Sequence, residues 1–133
     1  MGAFKHHAII VTGWSKETLK RVRRKARKIF KELVSEIVFT PLNDFWSFFI
    51  APDGSKEGWS ESFDYDRRRA AFVAWLSKQP GSGGSLDWVE VEYGDDYGRP
   101  SAVISDSIVI ANSTVSADSP PPGDEPQEGE IPY

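Results

Sequence analysis

Residues 15–34 restrict the fold of this chain more than any other stretch. Leu19, Val22, Ala26, Ile29, Phe30 and Leu33 recur three and four residues apart behind Ser15, the pattern of an amphipathic helix with an N-cap. Its other faces are basic: the segment holds nine Lys or Arg and only two acids, Glu17 and Glu32. Such a helix must lay its apolar stripe on something, and the flanking segments offer strands. Residues 6–14 (HHAIIVTGW) form a β-branched run ending at Gly13, which predicts a buried strand followed by a turn. Residues 35–40 (SEIVFT) predict a second strand, stopped by Pro41 and Asn43. Residues 45–51 (FWSFFIA) predict a third, closed by Pro52-Asp53-Gly54, with a fourth short strand near 56–60.

A second helix is predicted from a cap at Ser62 or Asp64 through Lys78. Ala71, Phe72, Trp75 and Leu76 lie on one face, and Arg67, Arg68 and Arg69 form a basic collar near its start. Pro80 and the glycines of 81–85 end it. Residues 86–93 (LDWVEVEY) alternate apolar and acidic side chains as a half-exposed strand does, and 102–104 with 108–110 give a last strand or pair. The order β-α-β-β-β-α-β-β predicts a small α+β domain: a mostly antiparallel sheet with two helices packed on one face.

At 133 residues and 14.9 kDa the chain suits one such domain. It has no cysteine, which excludes disulfides, thiolate nucleophiles and cysteine metal sites and suits a reducing cytoplasm. No apolar run is long enough to cross a membrane and residues 1–11 do not resemble a secretory signal, so an intracellular soluble protein is expected. The net charge of −4 is uneven. Residues 114–133 hold five acids and no base, leaving sixteen bases against fifteen acids before them. We therefore divide the chain into a ligand-binding domain, 1–112, and an acidic, proline-rich tail, 113–133, whose composition predicts disorder.

The residues offer little for catalysis. His6 and His7 are adjacent on a strand, so they point to opposite faces and cannot converge on one proton or metal. Asp95-Asp96 and Ser105-Asp106-Ser107 have no histidine nearby in sequence to complete a nucleophilic arrangement. The glycines at 81, 83 and 84 follow a helix and precede a strand, the reverse of a phosphate-binding loop. The expectation is a protein that is not an enzyme and needs no cofactor or metal. What the chain does offer is arginine beside aromatic rings, a pairing suited to phosphate and base. The candidates are Arg24 and Arg27 on the first helix, Arg68, Phe72 and Trp75 on the second, and Arg99 in Gly98-Arg99-Pro100. Phe72 and Trp75 share a face with Leu76, so core packing is the competing use of both rings. The aromatic strand Phe45, Trp46, Phe48, Phe49 is an alternative stacking platform for RNA or single-stranded DNA.

The stretches HHAIIVTGW (6–14), SFFIAPDGSKEGW (47–59), the arginine-rich second helix with Phe72, and LDWVEVEYGDD (86–96) resemble the Thoeris anti-defence protein one family, small phage proteins that sponge up immune signals. The resemblance spans about residues 6–107. It implies an antiparallel sheet with two helices. It also implies binding, without cleavage, of cyclic ADP-ribose isomers made by TIR-domain enzymes in the cytoplasm of an infected bacterium. Members form homodimers with a pocket at the subunit interface, and some assemble into hexamers with separate sites for cyclic di- or trinucleotides. Carried onto this sequence, the adenine-stacking ring falls on Phe72 and the phosphate-facing arginine on Arg99, with Arg24 or Arg27 as a second arginine.

Overall fold

The structure, a computed structural model, describes residues 4–94 and 98–108. The elements are β1 (His6–Gly13), α1 (Lys16–Phe30), a short 3-10 turn (Lys31–Leu33), β2 (Val38–Phe39), β3 (Trp46–Ile50), α2 (Ser60–Ser77), β4 (Leu86–Tyr93) and β5 (Ala102–Asp106). The sheet is antiparallel throughout, in the order β2-β3-β1-β4-β5, with β1 at its centre. The domain is thus the small α+β unit that the sequence predicts.

Both helices cover the same face of the sheet. Ile9, Val11, Phe48, Ile50, Leu86 and Trp88 point toward them and meet Leu19, Val22, Ala26, Ile29 and Phe30 of α1 and Phe72, Trp75 and Leu76 of α2. The two registers explain this choice: Ile9 pairs with Ile50 and Val11 with both Phe48 and Trp88, so each cross-strand step puts large apolar groups on one side. Gly13 is needed where α1 descends onto β1, because a Cβ there would stand 2.5 Å from Leu19 Cδ2.

The other face carries Ile10 opposite Phe49 and Val89, and Ala8 opposite Val91. Val91 in turn pairs with Val103 of β5. Among the described residues no element covers this face, and Ile10, Phe49 and Tyr93 are each at least 40% exposed.

Several boundaries differ from the expectations, each for a local reason. The first helix stops at Phe30 instead of Val34: Lys31 takes a positive φ of 55°, and its N–H returns to the Arg27 carbonyl. That break turns the chain back to the sheet edge, where Leu33 accepts from Ala51 N–H and Ser35 donates to Phe49 C=O. The strand expected over 35–40 shrinks to Val38–Phe39, because Ser35 spends its hydroxyl on Phe49 N–H and Thr40 binds across the 41–44 turn to Phe45. No strand forms at 56–60. Lys56 makes an isolated bridge to Phe4, Gly58 turns the chain with φ 91°, and α2 has already begun at Ser60. Neither Ser62 nor Asp64 caps α2. The cap position is Trp59, which supplies no side-chain bond, while Asp64 accepts from Arg67 and Arg68. The last strand extends to Asp106 with an irregularity at Glu90/Val91; Ile108 lies beyond it, and 109–110 and the tail fall outside the described residues.

Candidate functional site

The cationic candidates divide between two places. On α1, Arg24 and Arg27 are exposed and, with Lys20, Arg23 and Ile37, line a shallow depression of about 450 Å³. They point outward because the helix's apolar stripe is committed to the sheet. Arg23 is anchored: its Nε donates to the Ser35 carbonyl at 2.7 Å and an Nη reaches Glu36 at 3.4 Å. Arg24 and Arg27 make no such bond among the described residues.

Arg99 stands at the far end of the β4–β5 ribbon. It is exposed and lines a depression of about 370 Å³ with Lys5, Glu92, Tyr93 and Ser101. Lys5 Nζ is held 3.5 Å from Glu92. The two depressions share no lining residue, so the structure does not bring Arg24 or Arg27 together with Arg99 in one chain.

The second helix departs most from expectation. Phe72 is completely buried, edge-on to Phe30 at 5.7 Å and 5.9 Å from the Trp75 ring. No face of it is open to a ligand, so the role of stacking ring does not fit where this side chain lies. Trp75 is likewise in the core, with Lys25 Nζ and the Arg21 guanidinium over its ring at 5.6 and 5.9 Å. The competing use of both rings, packing against Leu76 and the sheet, is the one observed. Arg68 is half-buried and tied down: its Nε donates to Asp64 at 2.9 Å and an Nη donates to the Ile29 carbonyl at 2.7 Å, locking α2 to the last turn of α1.

Arg69 belongs to an internal cluster. Only 4% exposed, it donates to Asp53 at 3.0 Å and Asp66 at 2.7 Å, and its Nε lies 3.9 Å from Glu90. This fork fastens the 52–54 turn and α2 to the centre of the sheet. Burial pushes the Asp53 carboxyl up, but hydrogen bonds from Ser55 and Arg69 overcome that and hold it below its ordinary value. Burial raises Glu90, against the pull of Arg69. His7 faces the same cluster, and burial together with the Arg69 charge keeps its imidazole below the usual range. One guanidinium is thus shared among three carboxylates from the 52–54 turn, α2 and β4, an arrangement suited to holding these elements in place.

Sequence reasoning missed the ring that does accompany a basic residue. Tyr93 lines the Arg99 depression and also a larger apolar groove of about 520 Å³ floored by Ala8, Ile10, Phe49 and Val91. Its ring is 40% exposed and sits 5.4 Å from His6, tilted by 49°. The signal was present in LDWVEVEY: Val89, Val91 and Tyr93 share the parity that points away from the helices, whereas Trp88, Glu90 and Glu92 pair with the inward positions Val11, Ile9 and His7. Of the aromatic strand, Phe48 is buried, Trp46 packs inward against Phe39 at 4.4 Å, and Phe49 alone of the three strand rings is on the open face.

Among the described residues no three His, Asp or Glu side chains gather as a metal site, and no helix is long and apolar enough to cross a membrane. Compared with known proteins, the chain matches no protein family, no curated protein and no solved structure.

Proposed function

We propose that this protein binds and sequesters a cyclic, pyrophosphate-bearing nucleotide of the cyclic ADP-ribose type, without cleaving it, so that an effector in an infected bacterial cytoplasm is not activated. The observation that carries the reading is Arg99 with Lys5 beside the half-exposed Tyr93 ring, opening onto the apolar groove of the bare sheet face. A guanidinium and an ammonium suit phosphate oxygens, and a tyrosine face suits an adenine. The resemblance to the Thoeris anti-defence protein one family supplies the ligand class. The same reading has two chains meeting on the open faces, where a neighbouring copy closes the Arg99 depression and the apolar groove beside it.

A sponge works by affinity and stoichiometry. Against a low-micromolar signal it needs a dissociation constant near nanomolar, about −12 kcal/mol. Charge-assisted bonds at about 1.5–3 kcal/mol each and a stacked ring supply much of that in a closed pocket.

The exposed bases of α1 favour a second reading, RNA or single-stranded DNA binding. The open sheet face argues against the stacking-platform version of it: Ala8, Ile10, Phe49, Val89 and Val91 present no cation to a phosphate backbone. The deciding experiment incubates purified protein with a cyclic ADP-ribose isomer, removes free ligand, denatures the protein by heat and analyses the released small molecule by mass spectrometry. Intact ligand at near-stoichiometric yield is expected. A cleaved product refutes sequestration, and no capture beside salt-sensitive RNA binding refutes it in favour of nucleic acid.

A further inference from the structure

We propose that Glu92 makes the Arg99 depression selective, accepting a hydrogen bond from a free hydroxyl on the adenosine ribose of the ligand and turning away a ligand with a further phosphate there. This inference rests on the sequestration reading and gives a role to a group which that reading leaves idle. Among the described residues three charged side chains line the depression: Lys5, Arg99 and Glu92. The two cations suit phosphate oxygens, whereas a carboxylate repels them. A wall that met only phosphate would gain nothing from Glu92.

Glu92 is well placed for this use. It is the penultimate residue of β4, paired with His7 of β1 and Ala102 of β5. Its side chain is 23% exposed, and Lys5 Nζ lies 3.5 Å from its Oε1. That is longer than the roughly 2.7–2.9 Å of a close charge-assisted bond. The ammonium therefore steers the carboxylate without filling it, since a carboxylate offers about four acceptor sites and no donor. Such a group takes hydroxyls and amines and no anion.

Strand parity decides which part of the ligand it meets. Neighbouring residues of a strand point to opposite faces, so the Tyr93 ring and the Glu92 carboxylate approach the depression from opposite sides of β4. With the ring against the adenine, the carboxylate is left for the sugar attached to that base. Dinucleotide sites that read a ribose 2′-hydroxyl do so with an acidic side chain, and those that accept a 2′-phosphate use arginine instead. A free hydroxyl here gains a bond to a charged acceptor, and an added phosphate is set against a like charge.

Calorimetric titration of the full chain tests this with two ligands: cyclic ADP-ribose, whose adenosine-ribose hydroxyls are both free, and its 2′-phosphate. The parent is expected to bind the first at least about tenfold more tightly than the second. Glu92→Gln keeps an acceptor and loses the charge, so the preference should shrink to within about threefold, through tighter binding of the 2′-phosphate. Glu92→Ala loses the acceptor as well and should weaken cyclic ADP-ribose itself about tenfold. The two ligands differ in one group, so their ratio within each protein is unmoved by a general loosening of the fold. The same ratio in the parent and both variants overturns the proposal and leaves sequestration standing. An equal gain for both ligands in the variants does so too, because Glu92 would then only mask Lys5. A parent that binds neither ligand overturns the sequestration reading and this proposal together.

Discussion

Changing Arg69 to Ala removes the cation that faces Asp53, Asp66 and Glu90 at once. Its magnitude follows from burial. The Arg69 and Asp53 side chains are 4% and 7% exposed and that of Glu90 is 11%, so truncation strands two carboxylates away from water. Breaking a buried pair from one side costs about 3–5 kcal/mol. Asp66, whose side chain is half exposed, adds less than about 1 kcal/mol. Small domains have total stabilities of about 5–15 kcal/mol, so the loss is a large part of the whole.

Urea unfolding followed by fluorescence of the buried Trp75 and Trp88 measures it. With a slope of about 2 kcal/mol per molar, the midpoint should fall by roughly 2 M. The charge origin gives a second, sharper expectation. Without Arg69 both carboxylates become easier to protonate, so the deficit should shrink as pH falls from 7 toward 4, where they enter the fold neutral. Arg69→Lys, which keeps a charge but not the fork, should lie between. A midpoint within 0.3 M of the parent at pH 7 (about 0.6 kcal/mol at that slope) would refute the burial argument. A deficit independent of pH would mean that lost packing of the arginine stem, and not stranded charge, is the cause.

Three further outcomes test neighbouring claims. Glu90→Gln should raise the pH 7 midpoint, by about 1 kcal/mol: burial raises the native carboxyl, so its ionised form costs stability at neutral pH, and the gain should fade as acid protonates the parent's Glu90. Phe72→Ala should cost about 3–5 kcal/mol and lower Tm by roughly 15 °C, because the ring is enclosed by Phe30 and Trp75; a Tm within 2 °C of the parent, less than about 1 kcal/mol, would show that the ring is not core. Arg99→Ala and Tyr93→Ala should each weaken capture of a cyclic ADP-ribose isomer at least about tenfold by calorimetry while leaving Tm unchanged, since both side chains are exposed; unaltered affinity would remove that residue from the site.

The elements that could be read in the sequence are those with strong periodicity. The apolar spacing from Leu19 to Phe30 and the β-branched run from Ala8 to Val11 have one consistent use each, and both appear as expected. What could not be read depended on the partner. Phe72 and Trp75 carry the same sequence signature whether they meet a nucleotide or Phe30, and only the position of α1 against α2 decides between them. Lys31 looks like one more base on a helix face until its positive φ ends the helix. Tyr93 closes a strand in which the apolar residues change sides after Trp88, and fixing that parity required the pairing of β4 with β1. Arg69 was one of three adjacent arginines, indistinguishable by type; the turn holding Asp53 and the strand holding Glu90 converge on it only in three dimensions.

The bare sheet face leads to the final prediction. An antiparallel sheet with one side in water normally sets polar groups on that side. Here Thr12, Ser47 and Asp87 are polar at one end of the outward side and His6 stands beside Tyr93, but its middle is Ala8, Ile10, Phe49, Val89 and Val91, a composition that belongs under cover. If a second copy covers it, as the proposed function requires, a charge at its centre is tolerated by the single chain and not by the pair. Ile10 is the position to change, because it lies between Phe49 and Val89 and is already 45% exposed. Lys there should cost the monomer at most about 1 kcal/mol, whereas in a closed interface an unpaired ammonium costs several. Light scattering on a sizing column should give the parent twice the chain mass of 14.9 kDa and Ile10→Lys the single mass, with Tm at dilution little changed. A parent that runs at the single mass at tens of micromolar would refute a dimer on this face. A variant that stays paired would move the interface elsewhere, and the closure of the Arg99 depression by a second copy would move with it.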